Sequence, residues 1–204
     1  MSSQRRAKNF FLLGEQYGES AKLLLETLVC NGNSNAGIGK TAEEALQDME
    51  KNSVKSDLYL FVPAIFNCLQ STELFVKGLL ILDGKTFERK HGVEDLLVEL
   101  KDSYAEDSDI YQKLRFFYDQ QIDIVEKFKQ ANGINTSYDL YMSLRYPEIS
   151  LLPEEDKKKR ESISVDYTEL FCNGQEGIKQ FGSLLESLDA VKLATVKEYH
   201  SRTP

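Results

Sequence analysis

The run Leu58-Tyr59-Leu60-Phe61-Val62-Pro63-Ala64-Ile65-Phe66-Asn67-Cys68-Leu69-Gln70-Ser71-Thr72-Glu73-Leu74-Phe75-Val76-Lys77-Gly78-Leu79-Leu80 decides the fold. Leu58, Phe61, Ile65, Leu69, Thr72, Val76 and Leu79 recur three or four apart, and Val62, Phe66 and Leu80 widen the stripe. The spacing is helical, and a helix apolar over so much of its circumference belongs at the centre of a core. Pro63 starts this helix or kinks it, because an interior proline loses one hydrogen bond and crowds the preceding turn. Asp83-Gly84 closes it in the manner of a glycine C-cap.

Outward from this run the same period continues. Phe10, Leu13, Tyr17, Ala21, Leu24 and Leu28 predict one long amphipathic helix ending near Asn31-Gly32. Residues 31–39 are rich in Gly, Asn and Ser and form a loop. Thr41 followed by Glu43 and Glu44 suits an N-cap with acids in the first turn, so a short polar helix runs from there to about Asn52. Val93, Leu96, Leu97 and Leu100 predict a short helix; Ile110, Leu114, Phe117, Ile124 and Phe128 predict a single long one, ending at Asn132-Gly133. A loop carrying Tyr141, Arg145, Tyr146 and Pro147 and a charged stretch follow, and Leu170, Ile178, Phe181, Leu185 and Leu188 mark a last helix. No segment sustains a period of two, so no sheet is expected, and no internal repeat is present. The expectation is an all-α, up-and-down helical bundle of about five principal helices, four of them forming the core. Leu69, Val76, Leu79, Leu97, Leu114, Phe117, Phe181 and Leu185 are its expected core. Residues 1–204 form a single domain, with a loop and short helix inserted at about 31–52.

Composition limits what such a bundle does. With 204 residues, 41% hydrophobic and 28% charged, the chain is long enough to bury a core, and eleven Phe argue against disorder. Four Pro and twelve Gly are too few for an all-β chain of this length. Three Cys (Cys30, Cys68, Cys172) form neither a disulfide framework nor a metal knuckle, which points to reduced thiols in a cytoplasm, with no metal and no cofactor. A net charge of −8 opposes binding of nucleic acid by bulk electrostatics but leaves room for a small basic pocket. Arg5, Arg6, Lys8 and the apolar Phe10 to Leu13 imitate a signal peptide, yet the run stops at Gly14-Glu15. No stretch approaches the ~20 apolar residues of a membrane span, so no membrane partner is expected.

Several residues are candidates for chemistry. Ser34-Asn35-Ala36-Gly37-Ile38-Gly39-Lys40-Thr41 matches a phosphate-binding loop except at its first position, where Ser replaces Gly. Such a loop follows a buried strand, whereas here a helical stripe precedes it and no βαβ rhythm follows, so it is an interhelical loop with a helix cap. Glu73 and Lys77 stand four apart in the most apolar helix, the favourable order for a helical ion pair. They are either an ion pair at the edge of the stripe or a pair that orients a third polar group. Arg145 is the natural third group, because guanidinium pairs with carboxylate in a fork. His91, at the start of a helix, either caps it or donates to a carboxylate or carbonyl. His200 is a frayed surface residue. Lys157-Lys158-Lys159-Arg160, next to Glu154-Glu155-Asp156, is a solvated loop of opposed charge.

The succession Gln70-Ser71-Thr72-Glu73-Leu74-Phe75-Val76-Lys77-Gly78-Leu79-Leu80, then His91, Val93, Leu96 and Leu97, then Arg145-Tyr146-Pro147, then a final amphipathic helix resembles the HEPN domains. These are all-α, nucleotide- or RNA-associated bundles of prokaryotic defence and toxin–antitoxin systems. The resemblance runs from about residue 57 to residue 188. His91-Gly92 departs from the family's His-Asp. Ribonuclease members carry an Arg four to six residues before a His in a dimer cleft; Arg89 is two before His91, and no Arg at that spacing precedes His200.

The resemblance implies a homodimeric module binding a nucleotide, an RNA end or a partner protein such as a nucleotidyltransferase; the missing Arg–His spacing makes it non-catalytic, and the scattered cysteines place it in the cytoplasm. Its site is the polar cluster Glu73, Lys77, His91, Arg145 and Tyr146, with no catalytic residue assigned. Two alternatives stay open. One is a helical interaction or adaptor protein without a ligand site. The other is an enzyme, a metal-independent ribonuclease with a non-standard site using His91, Arg145 and Glu73.

Overall fold

The apolar run folds as its spacing predicts. The computed structural model describes residues 3–34, 37–87, 92–119, 122–151, 161–171 and 173–202. In chain order these form α1 (Ser3–Cys30), α2 (Ala42–Ser53), α3 (Asp57–Leu82), α4 (Val93–Lys101), α5 (Asp109–Asp119), α6 (Asp123–Ala131) and α7 (Ser137–Ser143). A hairpin of β1 (Glu148–Leu151) and β2 (Glu161–Ser164), a single 3-10 turn (Thr168–Leu170) and α8 (Gly174–Arg202) complete the chain. The architecture is α-helical, with one small two-stranded sheet among the described residues.

Residues 71–81 of α3 are buried without interruption, which makes it the central helix. Pro63 lies inside α3 on an exposed position, early enough that the helix continues past it. One window within residues 42–82 is apolar enough to cross a membrane, contrary to the expectation that none exists, and 72% of it is buried inside the protein. The core of the protein takes that apolar surface. At the end of α3, Gly84 has φ +73° and Lys85 N–H reaches the Leu80 carbonyl, the glycine-capped exit expected at Asp83-Gly84. Thr41 caps α2 by accepting from Glu44 N–H.

Four further expectations, about the elements and the core, need correction. The helix expected over residues 110–131 is two, α5 and α6. Ile122 is extended (ψ 136°), and its carbonyl takes the Val125 and Glu126 N–H groups to start α6. Phe117 and Ile124 are seven apart, two helical turns, so periodicity alone carries straight across the break. Tyr141, expected in a loop, lies on α7, which Thr136 caps by accepting from Asp139 N–H. The sheet that was not expected pairs β1 and β2 antiparallel, from Glu148↔Ser164 to Leu151↔Glu161; four residues per strand are too few to show alternation. Finally, Leu69 and Leu185 are half-buried, whereas Val76, Leu79, Leu97, Leu114 and Phe181 are buried as expected. The side chain of Phe117 lies outside the described residues, as does the 157–160 run.

The chain divides into two compact units. The first holds Met1–Ser20, Asn67–Gln120 and Glu186–Pro204; the second holds Ala21–Phe66 and Gln121–Leu185. In the first unit, α1 runs antiparallel to α3 and to α8. A Cβ on Gly78 would lie 2.4 Å from the Phe11 ring, and one on Gly14 would lie 3.0 Å from the Phe75 ring. Ser71 Oγ donates to the Gly14 carbonyl at 2.7 Å, and a Cβ on Gly18 would come within 3.0 Å of that same oxygen. Glycine inside a helix costs about 0.5–1 kcal/mol relative to alanine. Here it admits the neighbouring helix to close range.

In the second unit, α1 ends on Gly32 (φ +67°) and Asn33 (φ +46°). The Asn33 side chain holds that unusual backbone by accepting from Asp57 N–H at 2.7 Å and donating to Asp57 Oδ2 at 3.0 Å. The buried Asp57 carboxylate also accepts from Asn173 N–H at 2.7 Å, tying the start of α3 to the approach to α8. Phe61 and Phe181 meet at 4.8 Å between ring centroids in the core of this unit.

Candidate functional site

Helical spacing brings Glu73 and Lys77 together on α3. Their side chains form an ion pair, and Glu73 is 3% and Lys77 7% exposed. Charges so deep in a core are tolerated when paired. Lys77 has a second partner in the Phe87 ring, 5.4 Å from its Nζ. The same ring takes the Arg6 guanidinium at 5.9 Å and the edge of Phe10 at 5.6 Å. This is an aromatic-lined ion pair inside the first unit, with little of it open to solvent.

Beside it in the same unit lies a cavity of about 360 Å³ between α1 and α8. Phe75 of α3 is part of its lining, and Phe11, Leu12, Val196 and Tyr199 supply the other large apolar side chains. The antiparallel helices set its two ends. Phe11 meets Tyr199 at 5.4 Å, with Lys8 and His200 one turn or less beyond. Toward the other end, Lys192 bridges Glu15 at 2.9 Å and Glu19 at 2.5 Å. The hydrogen bonds that it donates to Glu19 and then to Glu15 hold the Lys192 ammonium above its ordinary range. The C-terminal turn of α8 is fixed by Arg202, which pairs with Asp83 and Glu198 and lies 4.8 Å over the Tyr104 ring. His200 therefore stands on an ordered helix, exposed, and not on a frayed end.

Arg145 and Tyr146 belong to the second unit. They follow α7 directly, and both are exposed. The Arg145 guanidinium lies 5.3 Å from the Tyr141 ring, 5.2 Å from Tyr146 and 6.0 Å from Phe66, and it donates to the Tyr141 hydroxyl at 3.1 Å. The backbone beneath is tightly held. Arg145 and Tyr146 N–H groups both return to the Met142 carbonyl, and Val165 N–H donates to the Pro147 carbonyl at 2.7 Å. Tyr167 Oη donates to the Ser143 carbonyl at 2.6 Å, and burial raises its hydroxyl above the ordinary phenolic range. Tyr167 is in turn stacked between Phe128 and Phe171. The result is a rigid turn that displays a cation on aromatic faces.

Of the five residues expected to cluster, the structure joins Glu73 to Lys77 in one unit and Arg145 to Tyr146 in the other. His91 lies outside the described residues. In the loop resembling a phosphate cradle two amides are already engaged: Ile38 N–H donates to Asp48 Oδ2 at 3.0 Å and Lys40 N–H to Glu44 Oε2 at 2.8 Å. A Cβ on Gly37 would lie 1.9 Å from the Ala45 carbonyl, so Gly37 rests on α2, and carboxylates of α2 occupy the Ile38 and Lys40 donors. No group of His, Cys, Asp and Glu among the described residues is arranged to hold a metal ion.

The family model of the HEPN domain matches residues 39–173, about two thirds of the chain. The chain belongs to the HEPN family. No curated protein and no solved structure matches it. The HEPN match takes in α2 and the whole stretch from α3 to the 3-10 turn, whereas the resemblance seen in sequence began near residue 57 and reached residue 188. The Glu73–Lys77 pair and the Arg145 turn both fall within it. The cavity draws only Phe75 from the matched part, because α1 and α8 flank it.

Sequence reasoning missed the cavity and the glycines beneath it. The available signal was Gly14 and Gly18, four apart within an otherwise strong helical stripe. It also missed the Asn33–Asp57–Asn173 linkage, whose three residues are scattered along the chain.

Proposed function

We propose that this HEPN chain is a non-catalytic helical module that binds a nucleotide or an RNA end through the Arg145 turn. The observation that carries this reading is an exposed guanidinium fixed over three aromatic rings. Guanidinium pairs with phosphate in a planar fork, and a tyrosine face stacks a base. Stacking of a single base on an aromatic ring is worth about 1–3 kcal/mol, enough for a short ligand without an extended basic surface. The net charge of −8 favours such a local contact over a long polyanion.

The absence of an Arg four to six residues before either His supports a binding role over hydrolysis. The buried pairing of Glu73 with Lys77 also speaks against Glu73 as a free acid or base in a ribonuclease site. A homodimer in the cytoplasm, in a prokaryotic defence or toxin–antitoxin setting, is the context this reading adopts from its family. Sedimentation at micromolar concentration is expected to give twice the chain mass.

A second reading, an adaptor that docks a protein such as a nucleotidyltransferase, is favoured by the apolar side chains that α2 exposes, Leu46 at 57% and Met49 at 42%. Fluorescence anisotropy with a short labelled oligoribonucleotide separates the two. Saturable binding that Arg145→Ala weakens tenfold or more, with the RNA left intact, is the expected result. Equal affinity in Arg145→Ala contradicts the proposal, and cleavage of the RNA by purified protein returns the ribonuclease reading.

A further inference from the structure

The cavity of the first unit is unused by the Arg145 turn, and its chemistry is of another kind. Its walls are apolar, from Phe11, Leu12, Phe75, Val196 and Tyr199, and its volume of about 360 Å³ lies within the range of small-ligand pockets, about 300–1,000 Å³. Phe11 and Phe75 are held in place by Gly78 and Gly14, so this part of the wall is built by close helix packing and not by a loop.

Charge is distributed unevenly along the cavity. At one end the Lys192 ammonium is outweighed by the two carboxylates of Glu15 and Glu19. At the other end Lys8 and His200 line the opening, and among the described residues Lys8 has no carboxylate partner. Arg5 and Arg6 stand on the turn before Lys8, and the first turn of α1 contains no acid. One end of the cavity thus carries a net negative charge, one ammonium against two carboxylates, and the other is cationic, on a chain whose net charge is −8. That pattern complements a molecule with an apolar body and one anionic head.

We propose that this cavity binds a free aliphatic carboxylate of about ten carbons, a length suited to a pocket of this size. Its chain lies against Phe11, Phe75, Val196 and Tyr199. Its carboxylate meets the Lys8 ammonium, with a His200 ring nitrogen as a second donor. A carboxylate is held by charge-assisted hydrogen bonds there, while the chain gains from leaving water.

Isothermal titration of the full chain with decanoate, below its micelle concentration, tests this. One saturable site is expected. Octanoate should bind about tenfold more weakly, since each buried methylene contributes ~0.8 kcal/mol. Decyltrimethylammonium, with the same chain and the opposite head, should also bind at least tenfold more weakly than decanoate. Lys8→Glu should abolish the preference between the two heads. Val196→Trp, at a position 41% exposed, should fill the cavity and remove binding while circular dichroism and melting stay as in the parent chain. No saturable heat with decanoate overturns the proposal. So does equal binding of the two heads, or a Val196→Trp protein that binds as the parent does. Sedimentation with phosphatidylglycerol vesicles distinguishes a free ligand from a lipid surface: vesicle binding without decanoate binding also overturns it.

Discussion

Lys77 and Arg145 are both cations set against aromatic rings, yet they sit in opposite surroundings. Lys77 is 7% exposed, is paired with an equally buried Glu73 and shares the Phe87 ring with Arg6. Arg145 is exposed, and the partners of its guanidinium among the described residues are the Tyr141 hydroxyl and three rings. A buried charge must keep its partner at all times, which suits a structural role. An exposed cation whose partners are rings retains donors that a ligand can take. The rigidity of the turn below, with Tyr167 Oη on the Ser143 carbonyl, lowers the entropy lost on binding.

The largest expected effect breaks the buried side of this comparison. Glu73→Ala leaves the Lys77 ammonium unpaired in the core and should cost about 3–5 kcal/mol in urea unfolding. The double substitution Glu73→Leu with Lys77→Met sharpens the point: it should recover most of that loss, since apolar replacement of a buried pair is often neutral or stabilising. A double variant as unstable as the single one would mean that the pair holds something besides itself. Next in size, Leu79→Ala at a fully buried position of α3 should cost about 2–5 kcal/mol in the same assay.

Smaller effects test how exposure scales the cost. Thr41→Ala removes the cap of the exposed helix α2 and should cost about 1 kcal/mol. A loss as large as that of Leu79→Ala would give α2 a packing role that its exposure does not suggest. The cysteines need no change of stability at all. Burial pushes the Cys68 thiol up to about 12, whereas Cys30 is exposed. Iodoacetamide at pH 8 should therefore alkylate Cys30 in the native protein and Cys68 only after denaturation, as read by peptide mapping. Native alkylation of Cys68 would show that the middle of α3 opens readily.

Much of the fold was legible because helical periodicity is a local signal. α2, α3 and α4 were found near their true bounds from apolar spacing, Thr41 and the Asp83-Gly84 exit, and α1 near its C-terminal end, its first seven residues lying before the stripe. The break at Ile122 was not legible, since the two helices keep the same apolar phase across it. The hairpin was not legible either, because four-residue strands carry too little alternation and their pairing joins residues distant in sequence. Within the candidate site, the Glu73–Lys77 pair followed from spacing alone. Arg145 was singled out as a partner for a carboxylate, but Phe66, Tyr141 and Tyr146 surround it, and no local pattern connects Phe66 to Arg145. The Lys8–His200 end of the cavity depends on α1 and α8 lying antiparallel, a tertiary fact outside the reach of spacing.

The central claim is that the Arg145 turn serves a ligand and contributes little to folding, unlike the Glu73–Lys77 pair. Thermal melting of the parent chain and of Arg145→Ala, each with and without saturating oligoribonucleotide, tests it most directly. Exposed cation–aromatic contacts are worth about 0.5–1 kcal/mol. Without ligand, therefore, the variant should melt within about 4 °C of the parent for a chain of this size. With ligand, the parent should rise by several degrees and the variant should not move. The same rise in both proteins would contradict the account.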